Sequence, residues 1–504
     1  MAKSTRKKLY LIGIDAAPLW LLEELKDKKG MGPFNKLLLQ GQIGNLESTL
    51  PPMTGSAWPT IYTGLSPAEH GTPDFFVIKR DYVKDVVYYD SNAHPPFWKA
   101  FADKGLKSLV ITPATNITLP EFGNIDFISG FPLRSRANSE RLRKLMSKHG
   151  FDGEPEIEKG MTEGKISNSA ASQVYVKSVA NRSGIAKEMI EENDYDFVYV
   201  CFTETDRIQH FTLGTREKWD YILPVYAEIA KFIAYIEERA KKENALMVIV
   251  SDHGAQPMRE KFLLNGWLIE NGFLALKESV AKSISAAPKP GTPTSYELRE
   301  KLMRSGLRKT YDKMPYQVKK VTTGLVGKFL ANASSGEYTR LHIFDFDMKK
   351  SVAFAEVSNG PFATLWINDK RFSSGIVKDS EKGKVISDIK RKLSEARNKD
   401  GEKLIAGFED AADYYNGAKT FIPPDLFIEI RKGYTMDIFN YSPKTLFMKP
   451  EHAKSGDHIR NGIIGYSGPV RLDISHASVL DIAPTMLAYF GIKCSTKGRS
   501  LLSR

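Results

Sequence analysis

Three apolar runs in the chain each end on acidic residues. LYLIGI (9–14) runs into Asp15. DFVYVCF (196–202) runs into TETDRIQH, which holds Asp206 and His210, and ALMVIV (245–250) runs into SDHG, which holds Asp252 and His253. Short apolar runs bounded by turn signals read as buried strands. In an open α/β sheet, ligands bind beyond the carboxyl ends of the strands. Parallel neighbouring strands would therefore bring these carboxylates and imidazoles to one rim. Carboxylates gathered there without a counter-charge repel one another and hold protons more tightly. A divalent cation resolves that conflict. Mixed Asp/His ligands suit zinc, with manganese or iron also compatible. Each piece alone has a plainer reading. A single Asp at a strand end commonly caps a helix or a turn. The D-x-x-x-H spacing of Asp206 and His210 puts both on one face of a helix, but it arises often by chance. The conjunction of all three is what points to a metal centre.

A fourth piece is the turn-rich stretch STLPPMTGSAWPTIYTGLSPAEHGTPDFF (48–76). Thr54 and Ser56 stand near a predicted helix start, where free backbone N–H groups can receive a phosphate. A hydroxyl beside a metal can also lose its proton and act as a nucleophile. The plainer reading makes Thr54 an N-cap only. Thr115 and Asn116 follow the strand-like SLVITP (108–113), so they either face the same rim or shape a turn. His70 reads as structural, and the aromatic residues Phe75, Phe76, Tyr88 and Tyr89 read as packing.

The elements that must position these residues alternate between strand and helix, which indicates an α/β fold with a mostly parallel sheet. PFWKAFADKG (96–105), the long segment 219–244 and ASVLDIAPTMLAYFGI (477–492) carry helical patterns. From about 275 to 420 the character changes. SISAAPKPGTPTS (283–295) reads as a linker or mobile loop, VAFAEV and ATLWIND read as strands, and 386–399 reads as an exposed helix. This organisation predicts a catalytic core in two parts, 1–274 and 421–504, with an inserted basic α+β cap at 275–420. DLFIEI (425–430) and GIIGYSG (462–468) are expected to return to the core.

The composition supports an ordinary globular protein of 504 residues, with 42% hydrophobic and 26% charged residues, and so excludes disorder or a disulfide scaffold. Two cysteines, Cys201 and Cys494, make neither a disulfide framework nor a multi-cysteine zinc site. The apolar run near the N-terminus is too short for a secretory signal, and no run is long enough to span a membrane, so a soluble, cytoplasmic protein is expected. The net charge is +12, and residues 281–340 hold 12 Lys/Arg against 4 Asp/Glu. Such a basic segment can attract a small anionic substrate, nucleic acid or a membrane surface, or can simply be solvated.

Taken together, GID (13–15), PPMTGSAWPTIYTGLSPAEHG (51–71), TETDRIQH (203–210), SDHG (251–254) and GDHIRNGIIGYSGP (456–469) resemble the type I phosphodiesterase/nucleotide pyrophosphatase group of the alkaline phosphatase superfamily. The stretches 112–132, 344–357, 365–377 and 481–492 are similar to its soluble archaeal and bacterial branch. The resemblance spans nearly the whole chain. It implies an alkaline-phosphatase-like α/β/α sandwich and a phosphoric ester hydrolase with two divalent metals. One metal would be held by Asp15, Thr54, Asp252 and His253, the other by Asp206, His210 and His458. Thr54 matches the family's nucleophile. In eukaryotic members an Asn three residues after the nucleophile holds a phosphoryl oxygen; here that position is Ala57, followed by Trp58. The backbone N–H of Gly55 could replace the missing donor, so Gly55, Trp58, Thr115 and Asn116 are the candidate substrate contacts. Two other readings follow from the same resemblance. One is a phosphomonoesterase or phosphate-transferring mutase, which would need extra cap cations. The other is a non-catalytic relative that binds anions or nucleic acid.

Overall fold

The strand residues Leu9–Ile14, Ser108–Ile111, Phe197–Phe202 and Leu246–Val250 are buried along their whole length. Continuous burial of this kind requires cover on both faces of a sheet, as in parallel α/β proteins. The computed structural model describes residues 6–116, 118–285, 338–450, 454–493 and 495–503. It places these strands in one eight-stranded sheet, labelled here β1 (Leu9–Ile14), β2 (Ile43–Glu47), β3 (Ser108–Ile111), β4 (Ile125–Ile128), β5 (Phe197–Phe202), β6 (Leu246–Val250), β7 (Asn461–Ser467) and β8 (Ala477–Ser478). The order is β8-β2-β7-β6-β1-β5-β3-β4. β7 runs antiparallel to both neighbours, and the other pairings are parallel.

Side chains alternate across the sheet, as strand geometry demands. Tyr10, Ile12 and Ile14 of β1 join one core with the helices Asn168–Glu192 and Leu223–Glu243. Leu9 and Leu11 join a second core on the other face, with the helices Thr54–Thr63, Phe97–Asp103 and Ile482–Tyr489. The result is an α/β/α sandwich. The segment 219–244 is not one helix: a 3₁₀ turn covers Arg216–Tyr221, and the α-helix starts at Leu223 with Pro224 in its first turn. Proline is tolerated there because its missing N–H would have no intrahelical partner.

A third core belongs to a smaller unit. Its antiparallel sheet has the order Ala353–Asn359, Phe362–Ile367, Leu426–Ile430, Ile405–Asp410. The helix Asp379–Ser394 buries Ile389 and Leu393 against it. The strand Leu426–Ile430, expected in the main sheet, thus lies in the smaller one. The segment Glu260–Glu270, expected in the main core, contributes Phe262, Leu264, Trp267 and Leu268 to this third core. GIIGYSG does return to the main sheet, as β7. Residues 286–337, most of the basic segment and of the expected linker, lie outside the described residues, as does Cys494. Cys201 is buried and unpaired. No helix among the described residues is long and apolar enough to cross a membrane.

Candidate active site and metal centre

β1 lies between β5 and β6, with Gly13 level with both Cys201 and Val250. Asp15, the 203–210 segment and Asp252 therefore leave the sheet at the same edge. The chain turns sharply after β1, with Ala16 at φ +55°. Three contacts hold this turn: Ala17 N–H donates to Ser251 Oγ at 2.8 Å, Gln209 Nε2 to Ala16 O at 2.9 Å and Thr205 Oγ1 to Asp15 O at 2.5 Å. Left-handed backbone at a non-glycine residue persists only where the surroundings enforce it. The helix Glu204–Thr212 carries Asp206 and His210 one turn apart. His458 arrives on the short strand Gly456–Ile459, which pairs antiparallel with Gly254–Pro257 and sets His458 opposite Ala255. Gly254 has to be glycine here, because a Cβ would stand 2.2 Å from Asn461 O.

The three imidazoles share one arrangement. His253 Nδ1 donates to Gly254 O at 3.1 Å, His210 Nδ1 to Gly456 O at 3.0 Å and His458 Nδ1 to Pro52 O at 3.1 Å. A proton committed at Nδ1 leaves the Nε2 lone pair as the inward-facing group, the tautomer a metal ligand needs. The Nε2 atoms do converge on carboxylates. His458 Nε2 lies 3.1 Å from Asp206 Oδ1 and 3.2 Å from His210 Nε2. His253 Nε2 lies 3.2 Å from Asp252 Oδ2 and 3.6 Å from Asp15 Oδ1. The rings of His253 and His458 stack with centroids 3.9 Å apart, so the two groups adjoin. Asp15 Oδ1 and Asp252 Oδ2 are buried without a hydrogen-bond partner. Orphaned carboxylate oxygens beside inward imidazole nitrogens are the donor set a divalent cation takes.

The electrostatics carry the same message. Burial, then the charges of Asp252 and Asp206, push the Asp15 carboxyl well above its ordinary range. Asp252 is pushed up to about 7, chiefly by burial. Burial would raise Asp206 too, but the His210 and His458 rings outweigh it and hold this carboxyl well below its ordinary range. The same contact acts in reverse on His458: burial works against its charge, yet Asp206 raises it to about 9. Burial and then His458 drive His253 well below the ordinary imidazole range. A site that holds protons on Asp15, Asp252 and His458 in this way presents positions a metal would occupy instead.

Thr54 is the first residue of the helix Thr54–Thr63, with Met53 in the N-cap position. Its Oγ1 lies 3.2 Å from His253 Nε2. The N-cap reading therefore fails, and the hydroxyl belongs to the cluster. Trp58, one turn on, is fully buried and donates its indole N–H to Asp15 Oδ2 at 3.3 Å. It orients a carboxylate, its indole N–H being directed at Asp15. Gly55 sits at the first turn, against the backbone of Asp74 and Phe75. Thr115, at φ +66°, and Asn116 are buried at the end of β3, each with a side-chain oxygen lacking a partner. No hydrogen bond among the described residues ties either to the cluster. His70 is structural, as expected: its Nδ1 accepts from Thr72 N, and its Nε2 lies 3.0 Å from Thr60 Oγ1.

Sequence reasoning missed a buried charge network behind the helix Glu204–Thr212. Arg207 pairs with Glu154 at 2.9 Å and Glu158 at 2.6 Å, and Arg182 pairs with Glu204 at 2.8 Å. Arg207 adjoins Asp206 in the motif, so its signal was present, but Glu154 lies in a segment with no signal of its own.

A family model of type I phosphodiesterase / nucleotide pyrophosphatase matches residues 9–458. Among solved structures, phosphonoacetate hydrolase from Sinorhizobium meliloti 1021 in complex with phosphonoacetate is similar over 96% of this chain and 96% of that chain, at 13% identity and a TM-score of 0.55. Its complex with phosphonoformate gives 13% identity, the same coverage and a TM-score of 0.54. Murine ectonucleotide pyrophosphatase/phosphodiesterase 5 aligns over 99% of this chain and 100% of that chain, at 10% identity and a TM-score of 0.46. No curated protein sequence matches the chain significantly. The likeness to phosphonoacetate hydrolase shows the alkaline-phosphatase-like fold. With the motif residues assembled at the carboxyl edge of that fold and a family match over residues 9–458, the chain belongs to the type I phosphodiesterase/nucleotide pyrophosphatase family, phosphoric ester hydrolases of the alkaline phosphatase superfamily that depend on metals.

Proposed function

We propose that the protein hydrolyses phosphodiesters or pyrophosphates with Thr54 as nucleophile and two divalent cations as cofactors. The observation that carries this reading is the shared arrangement of His210, His253 and His458, each tied back at Nδ1 so that Nε2 faces buried carboxylates. Asp15, Thr54, Asp252 and His253 would hold one ion, and Asp206, His210 and His458 the other. Imidazole nitrogens with carboxylate oxygens suit zinc, and manganese or iron are compatible. Such ions would neutralise the phosphoryl charge and lower the proton affinity of oxygens bound to them.

The residues of the chain do the rest. Thr54 Oγ1 is held at the head of its helix, so it meets phosphorus without having to be ordered first. The N–H of Gly55 belongs to the first turn, where no intrahelical acceptor exists, and it is free to donate to a phosphoryl oxygen. It takes the place of the side-chain donor that Ala57 cannot supply. In the first displacement the Thr54 oxygen forms a bond to phosphorus and one ester oxygen leaves with its electron pair, taking up a proton. Water then displaces the threonine oxygen and releases the phosphate monoester. The smaller unit acts as a cap over this edge. Thr435, on the strand Tyr434–Asp437 whose Met436 joins the third core, has its hydroxyl 2.7 Å from both Gly360 O and Asp457 Oδ2, which joins the smaller unit to the residue before His458.

The test is a screen of chromogenic phosphomonoesters, phosphodiesters and nucleotide pyrophosphates with zinc or manganese added. Turnover of diesters or pyrophosphates above monoesters supports the reading, and preference for monoesters rejects it. A chiral phosphorus substrate separates the routes: two in-line displacements retain configuration, whereas direct attack by water inverts it.

A further inference from the structure

His458 is the one proposed ligand that follows the smaller unit in the chain, and that unit touches its backbone directly. Gly360 lies at the tip of the hairpin between the strands Ala353–Asn359 and Phe362–Ile367. It is buried, with φ at +56°, a conformation that favours glycine. A Cβ there would stand 2.3 Å from His458 O, 3.0 Å from His458 C and 3.2 Å from His458 N. Only glycine lets the hairpin approach the strand this closely.

A second contact lies beside the first. The buried Thr435 hydroxyl is 2.7 Å from both Gly360 O and Asp457 Oδ2. Gly360 O already receives the Met436 N–H at 3.1 Å, so the hydroxyl proton goes to the charged carboxylate. The other Asp457 oxygen accepts the His458 N–H at 2.9 Å. Hairpin tip, threonine and aspartate thus clasp the backbone that carries the His458 side chain. The core holds the same strand from its other side: Gly456–Ile459 pairs with Gly254–Pro257, and Ser455 N–H donates to His210 O at 2.7 Å. The ligands proposed for the other ion are fixed outside the smaller unit. Trp58 holds Asp15, the Ala16 N–H reaches Asp252 at 3.3 Å, and Gly254 O holds His253.

We propose that Gly360 and Thr435 are positioning residues for His458, through which docking of the smaller unit sets the affinity of the Asp206, His210 and His458 position for its cation. The inference rests on the two-metal reading and adds that the two positions depend on different parts of the chain. The reason is geometric. A metal–ligand distance tolerates an error of about 0.2 Å, and the shift that would relieve a 2.3 Å contact is several times larger. Coupling of this kind is reciprocal, so a cation bound at that position also favours the docked arrangement of the smaller unit.

The test is a calorimetric zinc titration of the metal-free full chain, with hydrogen exchange alongside. The unmodified protein should take up two ions. Gly360→Ala should weaken one of them by about 10–100-fold and leave the other nearly unchanged. Thr435→Val should weaken the same ion by about threefold or more, and Thr435→Ser, which keeps the hydroxyl, should restore it. Zinc should also slow amide exchange in the strand Tyr434–Asp437, whose Met436 N–H donates to Gly360 O. Melting curves of the metal-free variants report folding, and if Gly360→Ala does not fold, the two Thr435 variants decide. Unchanged affinity in the variants, equal weakening of both ions, or exchange indifferent to zinc overturns the inference and leaves the two-metal reading intact. Uptake of fewer than two ions by the unmodified protein counts against the two-metal reading itself, and this inference falls with it.

Discussion

His458 and His210 face each other with their Nε2 atoms 3.2 Å apart, although each Nδ1 is already committed to a main-chain carbonyl. Two imidazole lone pairs hold that approach only with a proton or a cation between them, and Asp206 completes the positions around it. If a metal is the resident cation, the loaded protein should contain about two divalent ions per chain, the number expected of a two-metal phosphoryl-transfer site. His458→Ala should lose one of them, as elemental analysis after gel filtration would show. Full metal content in His458→Ala would remove this residue from the centre.

If Asp15 holds a metal as proposed, Trp58 would act on that ion through its hydrogen bond to Asp15. Trp58→Phe keeps an aromatic ring but deletes the indole N–H that reaches Asp15 Oδ2 at 3.3 Å. Losing such an outer hydrogen bond typically weakens metal affinity by about 10–100-fold. The smaller ring should cost no more than about 3 kcal/mol of stability. Metal titration and thermal melting separate the two effects, and unchanged affinity would assign Trp58 to packing alone.

Asp252 predicts a pH effect on the metal-free protein. Its folded value of about 7 stands above an ordinary 3.8, so the folded state binds the proton more tightly than the unfolded one. Deprotonation therefore destabilises the fold as pH rises from about 4 to 7, by at most roughly 4 kcal/mol. In chelator, Asp252→Asn should melt higher than the unmodified protein at pH 8, and the two should converge below pH 4. The order should reverse when a divalent ion is added, because the ion binds the native carboxylate. Equal melting at pH 8 in chelator would mean that Asp252 is not held in this state.

Thr54→Ala leaves the other six proposed ligands in place. It should fold and keep part of its metal, yet lose turnover by about three powers of ten or more. Thr54→Ser keeps the hydroxyl and should retain measurable activity, with a loss because serine is freer about χ1. Activity in Thr54→Ala close to that of the unmodified protein would leave water as the attacking group.

Arg207 secures the helix that carries Asp206 and His210. Arg207→Met strips Glu154 of its 2.9 Å partner inside the protein and should cost about 3–5 kcal/mol. Adding Glu154→Gln should recover part of that loss in denaturant melts. No recovery would place the effect in packing rather than in the ion pair.

The site residues that were legible in the sequence are those whose signal is local. Asp15, Asp206, His210, Asp252 and His253 each follow a short apolar run, and a buried parallel strand needs little more than such a run and a turn. The α/β class with a mostly parallel sheet was legible for the same reason, from alternating runs and helical patterns, while the sandwich itself was implied by the family resemblance. His458 has no such local signal and entered through family resemblance. Its position comes from the pairing of Gly456–Ile459 with Gly254–Pro257, after the chain has passed through the smaller unit. Leu426–Ile430 shows the converse: its strand character is local, but the choice between two sheets depends on partners far along the chain. Trp58 gave no sign of its contact, because a buried indole on Asp15 exists only once separate segments meet. Sequence alone set the types of residue and the elements that carry them. Tertiary structure decided which of those residues share a site, because hydrogen-bond direction, burial and charge neighbours are properties of contacts between distant parts of the chain.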